Sequence, residues 1–210
     1  MEIAAGTLDD ESAYKILTGC VVPRPIAWVT TENAAGGVNL APFSAFTFVS
    51  SLPPMLGFNV GRRGSETKDT SRNIHAHGEY VVNIGDESMI EAIHLSAVEH
   101  PPEISETEHL GLRTIPSTLV RPQRLADAPI SMECRLHQIL QFGTTGSEFF
   151  VGEVLLFHIR DDIIQAGKVD TAKLRPACRL GGPNYATLGK IITLKPIAVT
   201  RSRRPAKPAP

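Results

Sequence analysis

The chain has 210 residues, enough for one sizeable hydrophobic core and short for two ordinary domains. Apolar residues make up 42% and charged residues 20%, as in an average soluble globular protein, and the net charge is −1. This balance excludes a general attraction to nucleic acid or to anionic membranes, so any anion site must be local. We therefore expect no nucleic-acid partner and no membrane association.

Cysteine usage and the N-terminal segment favour a cytoplasmic protein. Cys20, Cys134 and Cys178 are widely spaced and form no CxxC pair, which suits a reducing compartment. The opening segment MEIAAGTLDDESAYKIL is acidic and has no apolar run of the kind a secretory signal needs. No stretch approaches the roughly 18 apolar residues of a transmembrane helix.

The first part of the chain is predicted to be mainly β. Ile26–Thr31 is rich in β-branched and aromatic residues, and the turn Glu32–Gly37 separates it from a second strand-like run, Val38–Val49. Because Pro42 cannot donate to a ladder, this second strand should bulge or lie at a sheet edge there. A third strand, Met55–Val60, ends at the turn GRRG.

The middle of the chain changes to helical periodicity. Lys68–His77 is predicted to be a helix with Asp69 or Thr70 as N-cap, and Asp86–Ala97 carries apolar residues at helical spacing. A Pro-rich loop, Val98–Gly111, follows the second helix. The remaining predicted strands are Glu79–Gly85, Leu112–Thr114, Ser131–Phe142 and Phe149–Ile159, and Tyr185–Val199 fits either a short helix or a strand.

These elements predict one domain over residues 14–199, preceded by an N-terminal extension over residues 1–13. Many short strands with few helices indicate a mainly β fold, a β-barrel with peripheral helices, rather than alternating βαβ units. Residues 200–210 are rich in Pro and basic residues and should form a disordered tail. The alternative for this tail is an arm that binds phosphate or a partner.

Common hydrolase and nucleotide-binding motifs are missing. The sequence contains no GxSxG, HExxH or GxxxxGK[ST], and no GxGxxG follows a strand. His75 and His77 are two residues apart on a predicted helix and so point to different faces, which makes a metal site there a poor expectation. We therefore predict no metal.

Several polar residues of the first half could together hold a phosphate. Helix N-termini expose unpaired N–H groups and a positive dipole end, arginine binds phosphate bidentately, and lysine acts as a point charge. Ordinary strand propensity, helix capping and a solvated turn are the alternative explanation for the same residues. The set is Thr30, Thr31, Asn39, Arg62, Arg63, Lys68, Asp69 and Thr70.

Eight segments carry a family resemblance. They are PRPIAWVTT (Pro23–Thr31), NLAPFSAFT (Asn39–Thr47), LPP (Leu52–Pro54), KDTSRNI (Lys68–Ile74), GEYVVNI (Gly78–Ile84), APISMECRL (Ala128–Leu136), FFVGEV (Phe149–Val154) and RLGGPNY (Arg179–Tyr185). In this order they resemble the flavin-reductase-like FMN-binding proteins, and the flavoredoxin-type members above all. The resemblance implies an FMN-binding split barrel of Greek-key type. It also implies a homodimer with the flavin near the subunit interface, and NADH or NADPH as electron donor.

The resemblance also implies which residues bind the cofactor. Trp28, Val29, Thr30 and Thr31 should run beside the flavin, with the two threonines near the ribityl-phosphate. The ring edge should be lined by Asn39, Ala41, Pro42, Phe43, Ser44, Ala45, Phe46 and Thr47, although Trp28, Phe43 and Phe46 can equally be core residues. Arg62, Lys68, Asp69 and Thr70 match the phosphate end. Arg179, Gly181 and Tyr185 match a loop that closes the site, either in the same subunit or from its partner.

Three functions remain open from the sequence. The first is a flavin reductase that takes a hydride from NADH or NADPH and supplies a partner oxygenase or another redox partner. Because flavin N5 carries that chemistry, no catalytic side chain is expected. The second is a flavoredoxin-like electron carrier with permanently bound FMN. The third is a non-redox barrel that binds another phosphorylated ligand.

Overall fold

The computed structural model describes residues 1–62, 64, 66–101 and 104–197. The predicted tail over residues 200–210 and the last two residues of the predicted domain lie outside this range. None of the helices in the described part of the chain is both long enough and apolar enough to cross a membrane.

A seven-stranded antiparallel sheet dominates the fold, with strand order β3-β2-β6-β9-β10-β5-β4. The mainly β fold with peripheral helices is therefore confirmed. The sheet is accompanied by a small sheet in the order β1-β13-β14 and by two short β-ribbons. The strands are β1 Arg24–Pro25, β2 Ala27–Glu32, β3 Val38–Phe43, β4 Phe46–Ser51, β5 Pro54–Val60, β6 Glu79–Ile84, β7 Thr114–Ile115, β8 Arg124–Leu125, β9 Ile130–Phe142, β10 Ser147–Ile159, β11 Ile164–Gln165, β12 Lys168–Val169, β13 Cys178–Arg179 and β14 Tyr185–Ala186.

Short helices surround the sheet. The first, α1, begins after Asp9, whose carboxylate accepts a hydrogen bond of 2.8 Å from the Ser12 N–H and so caps the helix. No residue of α1 is buried. The α-helices are α1 Asp10–Cys20, α2 Asp69–His77, α3 Ile90–Leu95, α4 Glu106–His109 and α5 Thr171–Leu174, with 3-10 turns at Ala5–Thr7, Glu87–Met89 and Asp161–Ile163.

The sheet curls so that its two edges meet. Strands β3 and β4 are the outermost strands of the large sheet, yet only Ser44 and Ala45 separate them in the chain. The Asn59 N–H of β5 donates to the Ala45 carbonyl over 2.9 Å, and the rings of Phe43 and Phe58 lie 5.2 Å apart. The open sheet is therefore closed at this one corner into a barrel.

Alternation along the strands creates two apolar clusters. The side chains of Val29, Phe43, Phe58, Tyr80 and Phe150 belong to the cluster inside the barrel. The residues between them in β2 and β3 point outward into a second cluster, which α3 covers. That outer cluster contains Ile26, Trp28, Leu40, Ile93, Leu125 and Ala177.

Several predictions about elements were wrong in detail, and one of them is the predicted loop Val98–Gly111, which contains the helix α4. The predicted single strand Val38–Val49 is two strands that belong to opposite edges of the sheet, because the chain turns at Ser44 and Ala45. The helix α1 was not predicted, and it runs across the expected boundary between residues 13 and 14.

The edge position of Pro42 is confirmed. Because Leu40 directs its N–H away from β2, to Glu106, Pro42 two residues later faces the same free side and breaks no ladder bond.

Candidate functional site

Three adjoining clefts lie along β3, the start of α2 and the RLGGPNY loop. The central cleft, of about 80 Å³, is lined by Asn39, Ala41, Pro42, Phe43, Lys68, Asp69, Thr70, Ser96, Ala97, Val98, Glu99, His100 and Glu106. At one end the helix cleft, of about 90 Å³, is lined by Val60, Gly61, Arg62, Thr67, Lys68, Ser71, His75, Gly146 and Glu148. At the other end the arginine cleft, of about 310 Å³, is lined by Tyr14, Thr18, Arg24, Ile26, Pro42, Ser44, Ile93, Ala97, Arg179, Leu180, Gly182 and Tyr185.

Shared residues place these clefts side by side, and we call the row of three clefts the groove. Lys68 lines both the central and the helix cleft. Pro42 and Ala97 line both the central and the arginine cleft. A ligand lying in the central cleft can therefore extend toward Lys68 at one end and toward Arg179 at the other.

A buried network of amides and hydroxyls holds α2 against β2 and β3. The Thr31 hydroxyl oxygen accepts from the side-chain amides of Asn39, over 3.2 Å, and Asn73, over 3.0 Å. The Asn39 amide also donates to the Thr70 hydroxyl over 3.1 Å. All four side chains are buried. Because this network fixes the start of α2, it also fixes Lys68, the residue that precedes the helix.

The predicted residues of β2 lie inside the protein. Trp28, Val29, Thr30 and Thr31 have no exposed surface, and none of them lines a described cleft. The Trp28 indole N–H donates to the Ser96 hydroxyl over 2.8 Å, which fixes the chain entering the Ser96–His100 wall of the central cleft. Direct contact of these four residues with a cofactor stays a prediction, and their observed contacts support the wall and the helix.

The predicted run from Ser44 to Thr47 divides at the barrel corner. Ser44 lines the arginine cleft, where its hydroxyl accepts from Arg24 Nε over 3.2 Å. Phe46 packs against the barrel interior, and Thr47 is exposed. Neither these two residues nor Ala45 line a described cleft.

The helix cleft brings the predicted cations together. Lys68 is the N-cap of α2 and makes no side-chain capping bond, which corrects the prediction that Asp69 or Thr70 caps this helix. Asp69 instead pairs with Arg72 in the first turn. Arg62 lies in the same cleft as Lys68, whereas Arg63 lies outside the described residues.

Opposite these cations, Glu148 is held by two donors. Ser71 donates to one carboxylate oxygen over 2.5 Å, and His75 Nε2 lies 2.9 Å from the other. Burial alone would raise the pKa of Glu148, but the hydrogen bonds from Ser71 and His75 together lower it. The histidine that could have suggested a metal site therefore has a carboxylate as its partner.

Glu106 is a site residue that sequence reasoning missed. Its carboxylate oxygen accepts from the Leu40 N–H over 2.9 Å, and the neighbouring Ser105 hydroxyl donates to the Val38 carbonyl over 2.7 Å. Both contacts satisfy polar groups on the free edge of β3. Burial raises the pKa of Glu106, whose side chain lines the central cleft. The sequence predicts a Pro-rich loop over Val98–Gly111, and no sequence pattern indicates that one of its acidic residues is buried.

Replacing Glu106 with glutamine should make the protein slightly more stable at neutral pH. The glutamine oxygen can still accept from the Leu40 N–H, while the buried charge is removed. Because the folded pKa is raised, the stability contributed by Glu106 is full below its unfolded pKa and declines as pH rises through the folded pKa. In urea unfolding from pH 4 to pH 8, the free energy of unfolding of the variant should thus increase relative to that of wild type as pH rises. An unchanged difference across this range would contradict the raised pKa.

The RLGGPNY loop lies at the opposite end of the groove from Lys68. The Arg179 guanidinium carbon sits 4.6 Å above the Tyr185 ring, and Arg179 Nη2 donates to the Gly182 carbonyl over 2.7 Å. Gly181 lies beside Gly19 of α1 and lines no described cleft. The structure thus separates Arg179 and Tyr185 from the predicted phosphate residues, with the central cleft between them.

Arg24 was also missed, although it stands inside the first family segment. Its guanidinium donates to the Thr18, Val21 and Leu180 carbonyls and to the Ser44 hydroxyl. It joins the end of α1, the barrel corner and the RLGGPNY loop. A single arginine before a strand gives no sequence signal of such a position.

Comparison with known proteins gives one family match and several close relatives. The family described as flavin reductase like domain matches residues 18–172. An uncharacterized protein from Halalkalibacterium halodurans is 39% identical over 97% of this chain and 100% of its own length. The structure of nitrilotriacetate monooxygenase component B from Bacillus cereus superposes with a TM-score of 0.89 and is 36% identical, covering 92% of this chain and 98% of the other. The 2-nitrobenzoate 2-nitroreductase of Pseudomonas fluorescens gives a TM-score of 0.86 and 34% identity, covering 96% and 99%.

Proposed function

Because the chain belongs to the flavin reductase like family, we propose that it is an FMN-binding oxidoreductase that moves a hydride from NADH or NADPH to flavin. The observation that carries this proposal is the groove beside β3. It has a cationic end at Lys68 and a central cleft whose walls include the family segments NLAPFSAFT and KDTSRNI.

The phosphate end of FMN fits the helix cleft. Arg62 and Lys68 supply positive charge there, and the first turn of α2 offers backbone N–H groups that no side chain of its N-cap occupies. The Glu148 carboxylate in the same cleft is already engaged by Ser71 and His75. Its charge is therefore partly compensated before a phosphate arrives.

We assign the ring end to the central cleft. Ala41, Pro42 and Phe43 give it an apolar wall, and the polar groups of Asn39 and Glu106 lie at its margin. The residues of β2 that the resemblance assigns to the flavin are proposed to act from behind this wall, through Thr31 and Asn39. When bound, FMN supplies the hydride-accepting centre, while the protein positions both rings and excludes water.

Lys68→Ala should weaken FMN binding about tenfold or more, because a charge-assisted contact with the phosphate is lost. Isothermal titration of flavin-free protein with FMN measures the effect. Lys15→Ala is the matched control, since Lys15 is exposed on α1 and pairs only with Glu11 among the residues that the structure describes. FMN affinity equal to that of wild type in Lys68→Ala would contradict the phosphate role.

The test of the function is the visible spectrum of the purified protein before and after anaerobic NADH and NADPH. Bleaching of a yellow protein by either nucleotide supports hydride transfer and identifies the donor. A yellow protein that neither nucleotide reduces would instead favour the electron carrier with permanently bound FMN. A protein that takes up no FMN would overturn the proposal and leave another phosphorylated ligand as the occupant.

We also propose that the protein forms a homodimer. Large apolar side chains are exposed on α1 at Tyr14 and Leu17, on β4 at Phe48, and in the C-terminal segment at Ile192 and Leu194. A second copy of the chain packed on these side chains would remove their apolar surface from water. Light scattering coupled to gel filtration should give the mass of two chains, and a monomer mass would contradict this.

A redox partner completes the proposal. The Bacillus cereus relative is named as component B of a monooxygenase, which supports an oxygenase as the acceptor of the reduced flavin. Added free flavin should then sustain continuous NADH or NADPH oxidation, because flavin is exchanged rather than retained. A rate of NADH or NADPH oxidation that does not change when free flavin is added would argue against such a partner.

A further inference from the structure

Two arginines face each other across the small sheet. In the antiparallel pair β1 and β13, Arg24 stands directly opposite Arg179, and both side chains line the arginine cleft. Like charges directly opposite each other in a sheet destabilise it. Arg24 is only 8% exposed, so solvent screens its charge poorly.

No carboxylate relieves this repulsion within the described part of the chain. Neither arginine forms an ion pair there, and none of the residues that line the cleft is acidic. Arg24 is compensated only by three backbone carbonyls and the Ser44 hydroxyl. Such a cleft attracts an anion from solution.

The two guanidinium groups still have hydrogen-bond donors to offer. Each arginine carries five N–H groups. Arg24 uses four of them, which leaves one. Arg179 uses three, for the Gly182 carbonyl twice and the Tyr185 hydroxyl once, which leaves two. The remaining three N–H groups are enough in number to bind the oxygens of one carboxylate or one phosphate group.

The rest of the lining suits an organic body attached to that group. Ile26, Pro42, Ile93 and Leu180 give the cleft an apolar wall, and Tyr14 also lines it. Its volume of about 310 Å³ lies at the lower end of the range for small-molecule pockets. Since Pro42 also lines the central cleft, a ligand here would border the one we assign to the flavin ring.

We propose that the arginine cleft binds a small organic oxyanion, a carboxylate or phosphate group on an apolar or planar body, between Arg24 and Arg179. The redox role of this ligand, exchange of a hydride with the flavin, rests on the proposed function. Its binding does not rest on that function, because no residue of the phosphate end lines the arginine cleft. The two sources of such a group are an organic acid substrate and the phosphates of the nicotinamide nucleotide.

The test is isothermal titration with benzoate, phenyl phosphate and NADPH, on both the flavin-free and the FMN-loaded protein. Wild type should bind benzoate or phenyl phosphate, and Arg179→Gln should bind either about tenfold or more weakly, the loss expected for one charge-assisted contact. Arg179→Lys should recover part of the affinity. Arg113→Gln is the control, because Arg113 is exposed and pairs with Asp127.

The outcomes separate this inference from the proposed function. Arg179-dependent binding to a protein that takes up no FMN would support the oxyanion site while the flavin proposal fails. A yellow protein that binds neither benzoate nor phenyl phosphate, or whose affinity falls equally in Arg113→Gln, would overturn the site. Preference for benzoate assigns the site to an organic acid, whereas displacement of phenyl phosphate by NADPH assigns it to the nucleotide.

Discussion

Glu133→Ala should lower the free energy of unfolding by about 3 kcal/mol. The Glu133 side chain is fully buried in β9. Its carboxylate accepts from the Thr118 N–H over 2.7 Å, from the Leu119 N–H over 2.6 Å, and from His158 Nε2 over 2.6 Å. Alanine leaves all three donors without this acceptor and releases the loop before β8 from the sheet. Urea unfolding at pH 7 measures the loss.

The pH dependence of the free energy of unfolding is a second test of the hydrogen bonds of Glu133. Burial alone would raise the pKa of Glu133, but hydrogen bonds from Thr118, His158 and Leu119 together hold it below its ordinary value of 4.5. A lowered folded pKa means that the stability is present above the unfolded pKa and is lost as pH falls through the folded one. The difference between wild type and Glu133→Ala should therefore shrink below about pH 4.

Two further variants make this result specific. Glu133→Gln should lose less than alanine, because one amide oxygen remains while the amide nitrogen cannot accept. Glu153→Gln, on the neighbouring strand, should change stability by less than about 1 kcal/mol, since its pair with Arg135 is partly exposed. Equal losses in Glu133→Ala and Glu153→Gln would contradict the role assigned to Glu133.

Gly152→Ala should lower the free energy of unfolding by about 1–3 kcal/mol. A Cβ at this position of β10 would collide with the Tyr80 hydroxyl and lie 2.7 Å from its Cζ and 3.1 Å from the Arg135 carbonyl oxygen. Tyr80 cannot move aside, because it is fully buried and its ring lies 5.5 Å from that of Phe58. Denaturant unfolding measures the change.

Tyr80→Phe tests the cause. The Tyr80 hydroxyl is buried and has no hydrogen-bond partner among the residues described, so its removal alone should cause little loss or even stabilise the protein. Combined with Gly152→Ala, it should recover part of the lost stability. Gly61→Ala is the control, since among the described residues only the Ser147 hydroxyl oxygen lies within 4 Å of its Cβ position. If the Gly152→Ala protein were as stable as the Gly61→Ala protein, the barrel interior would accommodate the added Cβ, and the predicted clash with Tyr80 would be contradicted.

The β content of the fold could be predicted from sequence because most strands of the large sheet carry their own signal. The long hairpin of β9 and β10 was predicted to within two residues at either end, since its apolar residues and its Gly-rich turn are local features. The division of Val38–Val49 could not be predicted. It depends on which distant strand each half pairs with, and the two halves pair with β2 and β5.

The site was predictable in part for the same reason. Asn39, Lys68 and Thr70 are close in space because the start of α2 packs on β3. The family segments assigned all three to the same site. Glu106 and Arg24 owe their positions to burial and to contacts with distant backbone groups. Because β2 is an inner strand of the large sheet, the predicted residues Trp28, Val29, Thr30 and Thr31 are all buried behind the clefts. A list of matching residues does not show which of them reach the surface.

The order of strands in the large sheet has a consequence for biosynthesis. Its two central neighbours, β9 and β10, are the last of its strands to leave the ribosome, and they separate the block of β2, β3 and β6 from the block of β4 and β5. A nascent chain ending near residue 120 would thus carry two incomplete sheets with unpaired inner edges, connected by the barrel corner and by the segment that contains α2. We expect such a truncated chain to aggregate or to recruit chaperones, and the groove beside β3 to form only once the final hairpin has bound both blocks.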